Sequence, residues 1–281
     1  MLDIVGKRGW YFLFSAIIMV IALVSLIMPP GWSTLNSGLN PGIDFTSGSV
    51  LDVTFSEPIN QNLVYDEMKY LGHPEALVQT TGDNSVIIRT KVLKESEGSN
   101  ESERQSIQRH LEKSISPIDS LAFDSISPII ARETIRNALF AMLAASVFIL
   151  LYIWYAFRRA PKAYRYGISA IIALVHDTII ILGLFSILGK TIGMEVNATF
   201  IIGILTVAGY SVNDTIVVFD RIRENVIRHP EREFGSLVNT SIIETVGRSL
   251  NTSLTTLVVL LALLLIGGDS IRGLILVVAA G

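Results

Sequence analysis

Five stretches of this chain are apolar over roughly 20 residues, the length a helix needs to cross a hydrocarbon core. They are residues 10–28, 134–157, 166–188, 198–219 and 249–266. In lipid, every backbone N–H and C=O must be satisfied from within, so such runs can only be helices or a closed barrel, and their length selects helices. The composition agrees. Half of the 281 residues are hydrophobic and 17% are charged, against about a quarter in soluble domains. A sixth apolar run begins at Ile271, but the eight positions from Leu274 to Gly281 are too few to cross at about 1.5 Å per residue. The sixth span is therefore expected to be incomplete here. The first run is not a signal peptide, since its core is too long and no small-x-small site follows it. Trp10 and Tyr11 mark one interface of this span and Trp32 the other.

Residues 31–133 are polar and must lie outside the bilayer. Alternation at 49–55 predicts a strand, and 61–71 a helix ended by Gly72 and Pro74. Strands at 76–81 and 85–93 are joined by a turn at Thr81-Gly82-Asp83-Asn84. A Ser/Glu-rich loop leads to a helix over 103–115, and 121–126 closes the domain as a strand. The order β-α-β-β-α-β is that of a ferredoxin-like domain. The fold class is thus a polytopic α-helical membrane protein with an inserted α+β domain. Its segments are 1–30 (N-terminus and first span), 31–133 (outer domain) and 134–281 (spans two to six).

Orientation follows from Lys and Arg in short loops. Lys7, Arg8, Arg158, Arg159, Lys162, Arg165, Arg221, Arg223, Arg228, Arg232 and Arg248 fall on one side, Lys190 and Arg272 on the other. The N-terminus is therefore expected in the cytoplasm and residues 31–133 outside it. No basic surface suited to nucleic acid is present. Without cysteine there is no disulfide or thiolate chemistry. The four histidines lack metal-ligand spacing, so no metal site or cofactor is expected. The Gly-rich stretch 38–49 has no P-loop lysine, which excludes phosphate cradling there.

The fourth span carries Asp214 between apolar residues. A carboxylate at that depth costs about 3 kcal/mol or more unless paired, hydrated or protonated. Asp214 lies roughly 9 Å along the helix from the interfacial Asp220. Ser211 shares its face, while Asn213 points about 100° away. Gly203 and Gly209 would let a neighbouring helix approach. Arg248, opening span five, is the expected counter-charge. Below it Asn251, Thr252, Thr255 and Thr256 form a polar stripe that should face the bundle. Asp177 is a second buried acid, with His176 beside it, though adjacent helix positions do not face each other. Competing readings stand next to these. Asp214 and Arg248 could be a static pair fixing helix register. Each Thr of the stripe could simply bond a helix carbonyl. His176 reads as packing rather than relay, and Asp177 divides evenly between the two. Glu195, Asp220 and Asp269 read as solvated ends.

Three segments carry a resemblance. They are Gly42-Ile43-Asp44-Phe45-Thr46-Ser47-Gly48-Ser49, then Gly209-Tyr210-Ser211-Val212-Asn213-Asp214-Thr215-Ile216-Val217-Val218-Phe219-Asp220-Arg221-Ile222-Arg223-Glu224, and Glu244-Thr245-Val246-Gly247-Arg248-Ser249-Leu250-Asn251-Thr252-Ser253-Leu254-Thr255-Thr256. Together they resemble the SecF family of protein-export membrane subunits, within the resistance-nodulation-division superfamily. Ser47 stands where the family usually has glycine, which would strain a position needing φ > 0.

The resemblance implies a six-span half of that superfamily's fold in a bacterial inner membrane. It implies a non-enzymatic role, partnership with SecD and the SecYEG channel, and YajC as a further candidate partner. It also implies unfolded exported polypeptide as client and lipid around the spans. A proton or sodium gradient would be the driving force, with H⁺ or Na⁺ the transported ion rather than a cofactor. The family's essential acid and its basic partner fall on Asp214 and Arg248. Asp177, Ser211, Asn213 and Thr252 would support them, and Gly42, Asp44, Phe45 and Gly48 form the extracytoplasmic motif. A small-molecule or lipid exporter half and a structural scaffold are the other classes such a sequence fits. An intramembrane protease would lack a completing serine or second aspartate motif.

Overall fold

The computed structural model describes residues 3–28, 38–94, 101–158, 163–266 and 271–281. Trp32, the Pro29-Pro30-Gly31 step, most of the Ser/Glu-rich loop, Arg159, Lys162 and Asp269 lie outside these. The chain divides into two compact units, Pro41–Asn137 and the rest.

The smaller unit is built by alternation. In β1 (Gly48–Phe55), Leu51, Val53 and Phe55 point inward with no exposure, and Asp52 between them faces out. β1 pairs with β3 (Ser85–Thr90) on one side, setting Leu51 opposite Ile88. It pairs with β4 (Ile118–Ile126) on the other, setting Leu51 opposite Phe123. β2 (Leu77–Thr80) adds the last strand, and the antiparallel order is β2-β3-β1-β4. Helices α3 (Gln61–Tyr70) and α4 (Glu103–Ser114) supply Val64, Met68, Ile107 and Leu111 to the core beneath the sheet. Asn60 caps α3. Ser102 and Gln105 form a reciprocal capping box on α4, satisfying two otherwise orphaned donors. This is the ferredoxin-like order read from the sequence, with one addition: a single helical turn, α2 (Ile43–Thr46), precedes β1.

This unit begins at Pro41 and ends at Asn137, against 31–133 expected. Gly38 and Asn40 are claimed by the membrane unit. The Gly38 N–H donates to the Leu26 carbonyl, the Asn40 amide to the Gly193 carbonyl, and the Val196 N–H to the Asn40 carbonyl.

The larger unit holds α1 (Arg8–Ile27), the part of α5 (Pro128–Phe157) from Ala138 onward, α6 (Ala163–Ile192), α7 (Ala198–Arg228), α8 (Phe234–Ile266) and α9 (Arg272–Ala280). All but α9 are long and apolar enough to cross a membrane. α6 packs against α1 and α7, while α7 also meets α8 and α9, so α7 is the central helix. α5 joins through Ile153 and Phe157, which pack on Ala170 and Val212. Phe157, Tyr166 and Phe219 close this seam, with ring centroids 5.2–6.1 Å apart. Gly203 of α7 lets α9 in: a Cβ there would stand 2.7 Å from Val277. Gly209, expected to do the same, has no neighbour within 4 Å of that position.

The helices outrun the apolar runs. α7 continues to Arg228 and α8 starts at Phe234, so Arg248 lies well inside α8 rather than at its start. These polar extensions hold each other. Arg221 pairs with Glu244 and Glu224, each at 2.6 Å, and Arg228 with Glu224 at 2.6 Å. The buried Asn225 amide donates to Ser241 (2.9 Å) and Glu244 (3.0 Å). Asp220, expected as a solvated end, pairs with Arg223 at 2.5 Å.

Candidate functional site: an acidic cavity among the membrane helices

Asp214 faces a cavity of ≈490 Å³ lined also by Asp177, Ser211, Thr252, Thr256 and Val278. Five of the polar residues singled out in the sequence therefore converge from three helices: Asp177 from α6, Ser211 and Asp214 from α7, and Thr252 and Thr256 from α8. Ser211 and Asp214 share the wall because they are three residues apart on one helix. Asn213, turned about 100° away, is exposed and does not line it.

The hydrogen-bond directions give the cavity its character. Ser211 Oγ donates to Asp177 Oδ2 at 2.6 Å. Thr252 Oγ1 donates to the Arg248 carbonyl (3.1 Å) and Thr256 Oγ1 to the Thr252 carbonyl (3.0 Å). The Thr255 hydroxyl likewise bonds a carbonyl of its own helix. Each hydroxyl has one proton, and these are already committed. What Ser211, Thr252 and Thr256 can offer the cavity is oxygen lone pairs. Around a carboxylate, such a wall suits a cation or a hydrated proton.

Arg248 lies elsewhere. It is exposed and borders a second cavity of ≈570 Å³ with Phe157, Asp220, Arg221 and Glu244. No N···O distance of 4.0 Å or less joins it to Asp214. Neither the Asp214 carboxylate nor the Arg248 guanidinium has a side-chain partner among the described residues. Along α7, Thr215 borders the first cavity and Ile216 the second; along α8, Thr252 of the first and Arg248 of the second are one turn apart. A static ion pair is therefore not what this arrangement contains. The acid and the guanidinium line separate cavities.

Sequence reasoning set His176 and Asp177 apart because adjacent helix positions diverge. In the structure His176 Nδ1 lies 2.9 Å from Asp177 Oδ1. Nδ1 is the ring nitrogen nearest the backbone, so a neighbouring carboxylate reaches it by folding alongside. Ser15 of α1, 2.5 Å from His176 Nε2, was not anticipated. Its one signal is a hydroxyl within an apolar span.

In the other unit, Gly42 caps α2 with an ordinary extended backbone (φ −74°), and Asp44 and Phe45 lie in that turn. The Thr46 hydroxyl bonds the Gly42 carbonyl at 3.0 Å. Ser47 has φ 62° and ψ 166°, and is the single positive-φ non-glycine among the described residues. Gly48 follows at φ 131°, where a Cβ would stand 2.7 Å from the Thr90 carbonyl oxygen. The motif thus builds a sharp turn into β1 through two positive-φ positions: Gly48 must lack a Cβ, and Ser47 holds a conformation that favours glycine.

A bundle of helices long and apolar enough to cross a membrane, with two acids on one cavity and a ferredoxin-like domain inserted after its first helix, defines a polytopic membrane protein. Residues 105–281 match the family described as protein export membrane protein SecD/SecF, C-terminal, and residues 32–59 match the SecD/SecF GG motif. The chain belongs to the SecF family of protein-export membrane subunits. It is 37% identical to the protein translocase subunit SecF of Thermobaculum terrenum, covering 100% of this chain and 88% of that one. With the Anaerolinea thermophila subunit the identity is 34%, with the same coverage. The crystal structure of SecDF from Thermus thermophilus, a translocon-associated membrane protein, superposes with a TM-score of 0.80 at 29% identity. That match covers 99% of this chain, which spans 36% of the SecDF chain.

Proposed function

We propose that this chain is a non-enzymatic subunit of the protein-export machinery. With SecD, it uses a proton or sodium gradient to promote movement of unfolded polypeptide through the SecYEG channel. Its N-terminus lies in the cytoplasm of a bacterial cell, and its ferredoxin-like domain lies outside the inner membrane. The observation that carries the reading is the cavity among α6, α7 and α8, where Asp214 faces Asp177 and the lone pairs of Ser211, Thr252 and Thr256, whose protons are committed elsewhere.

The physics is that of a switched carboxylate. Desolvation favours the protonated or cation-bound acid, and a nearby guanidinium favours the bare carboxylate. Arg248 lines a separate cavity, a helical turn from Thr252. If α8 shifts so that Arg248 meets Asp214, the bound cation is released; when it withdraws, the acid must take one up again. Ion binding is thereby tied to helix position. One charge moving through 100 mV supplies about 2.3 kcal/mol. Taking a two-state element from 1:99 to 99:1 needs about 5.5 kcal/mol, so one ion biases the equilibrium rather than inverting it. The bare apolar faces of α5 and α8 suit lipid or a partner's apolar helices.

The test is export into sealed vesicles, with proton and sodium gradients collapsed separately, for wild type and Asp214→Asn. The variant should insert normally and lose gradient-stimulated export. Wild-type kinetics in the variant would dismiss the coupling role, and a change confined to stability would leave a scaffold.

A further inference from the structure

We infer that His176 is a positioning residue for the ion cavity: through Asp177 it pins the Ser211 hydroxyl so that Ser211 turns its lone pairs, not its proton, toward the cavity. The inference rests on the proposal that this cavity holds the coupling cation.

Four side chains on three helices form one hydrogen-bonded chain. Ser15 Oγ lies 2.5 Å from His176 Nε2. His176 Nδ1 lies 2.9 Å from Asp177 Oδ1. Asp177 Oδ2 accepts from Ser211 Oγ at 2.6 Å. The directions follow from the carboxylate. With Asp177 as the carboxylate acceptor, Nδ1 carries the proton that faces it, and in that tautomer Nε2 accepts from Ser15. Both Asp177 oxygens are thereby occupied by donors, one from each neighbouring residue.

Removing the Nδ1–H leaves Asp177 with a single donor in a site that is half-buried among apolar helices. The carboxylate is then free to rotate or to take a proton itself. Either change releases the Ser211 proton, which can swing one helical turn toward Asp214. A donor would then point where the cation sits. The predicted consequence is weaker ion binding with Asp214 still present, so half-saturation shifts while the maximal rate is kept.

The other groups near this chain do not offer an alternative proton source. On α1, no ionisable side chain lies between Tyr11 and Ile27. On α7 the polar groups at the cavity are Tyr210, Ser211, Asp214 and Thr215, and of these Ser211 is the one bonded to Asp177. The stretch of α5 packed against α6 near Leu174 and Thr178 presents Met142, Ala145, Ser146 and Ile149.

Amide replacements separate the two ring nitrogens. His176→Asn places an N–H where Nδ1–H stood, His176→Gln places its amide near Nε2, and His176→Leu removes both. Gradient-driven export is measured in sealed vesicles containing SecD and the SecYEG channel, against graded proton and sodium gradients. We expect the half-saturating ion activity to rise about 10–100-fold in the Leu and Gln variants, the range for losing an outer-shell partner. The Asn variant should stay near wild type, and maximal rates should persist. Equal half-saturation in the Asn and Leu variants overturns the assignment, whether both are normal or both shifted. Should the Leu variant fail to accumulate, Ser211→Ala carries the test: it should show the same shift, and wild-type half-saturation there overturns the inference. Asp214→Asn run in parallel keeps the two ideas apart. If that variant retains gradient-driven export, the underlying reading fails. If it loses export while the His176 and Ser211 variants are unshifted, only this inference fails.

Discussion

Ser47→Gly should stabilise the ferredoxin-like unit. With φ 62° and ψ 166°, Ser47 occupies a region that is essentially glycine's, at a cost of order 1–3 kcal/mol for other residues. Glycine relieves that strain but has more freedom to lose on folding, about 0.5–1 kcal/mol. The difference leaves the variant more stable by up to about 2.5 kcal/mol, with a midrange of about 1 kcal/mol. In a unit of about 100 residues, each kcal/mol moves the unfolding midpoint by about 4–8 °C. The assay is native-state hydrogen exchange on the whole protein in detergent. It reads the amides of Val53 and Ile88, which are fully buried on paired strands. Their exchange should slow by roughly 5–30-fold for 1–2 kcal/mol, with no change at α7 amides such as Val207. Gly48→Ala should act in the opposite sense, since its Cβ would meet the Thr90 carbonyl at φ 131°. Unchanged or faster exchange in Ser47→Gly would refute the claim that this turn is strained.

Other consequences can be checked on the same preparation. Gly203→Ala drives a methyl group into Val277 and should cost about 1–3 kcal/mol as overpacking, read as a lower thermal midpoint of the membrane unit. Asn225→Ala strips both Ser241 and Glu244 of a buried donor; a loss of about 1–3 kcal/mol is expected, again from the midpoint. Glu75 should set an acid limit on the outer unit. A hydrogen bond to its own backbone N–H, above all, holds its carboxyl below the ordinary 4.5, helped by Thr90, Lys91 and His73. A depressed carboxyl contributes stability that is fully present above the unfolded value and lost as pH falls through the folded one. The unfolding midpoint should therefore drop below about pH 4.5, and Glu75→Gln should blunt that drop.

Much of this was legible because period reports burial. β1 declares itself through Leu51, Val53 and Phe55, and the βαββαβ order follows from turns at Gly72-His73-Pro74 and Thr81-Gly82. The acid-bearing face of α7 was legible because Ser211 and Asp214 lie three residues apart. Three features were not. The polar ends of α7 and α8 look like loops by hydropathy, and the Arg221, Glu224, Asn225 and Glu244 network, with the buried Ile222 and Leu237, ties them together as helices. That network also decides that Arg248 sits inside α8. The His176–Asp177 contact depends on side-chain rotamers, which helical spacing does not contain. Ser15 is distant in sequence and meets His176 only because α1 packs on α6.

The central claim is that Asp214 exchanges a cation within its cavity while Arg248 stands apart. Infrared difference spectroscopy of the protein in lipid, titrated with acid and with sodium, addresses that carboxyl directly. The account predicts a carboxyl signal that responds to the coupling ion and disappears in Asp214→Asn. A signal from Asp214 that stays fixed at every ion concentration would contradict it.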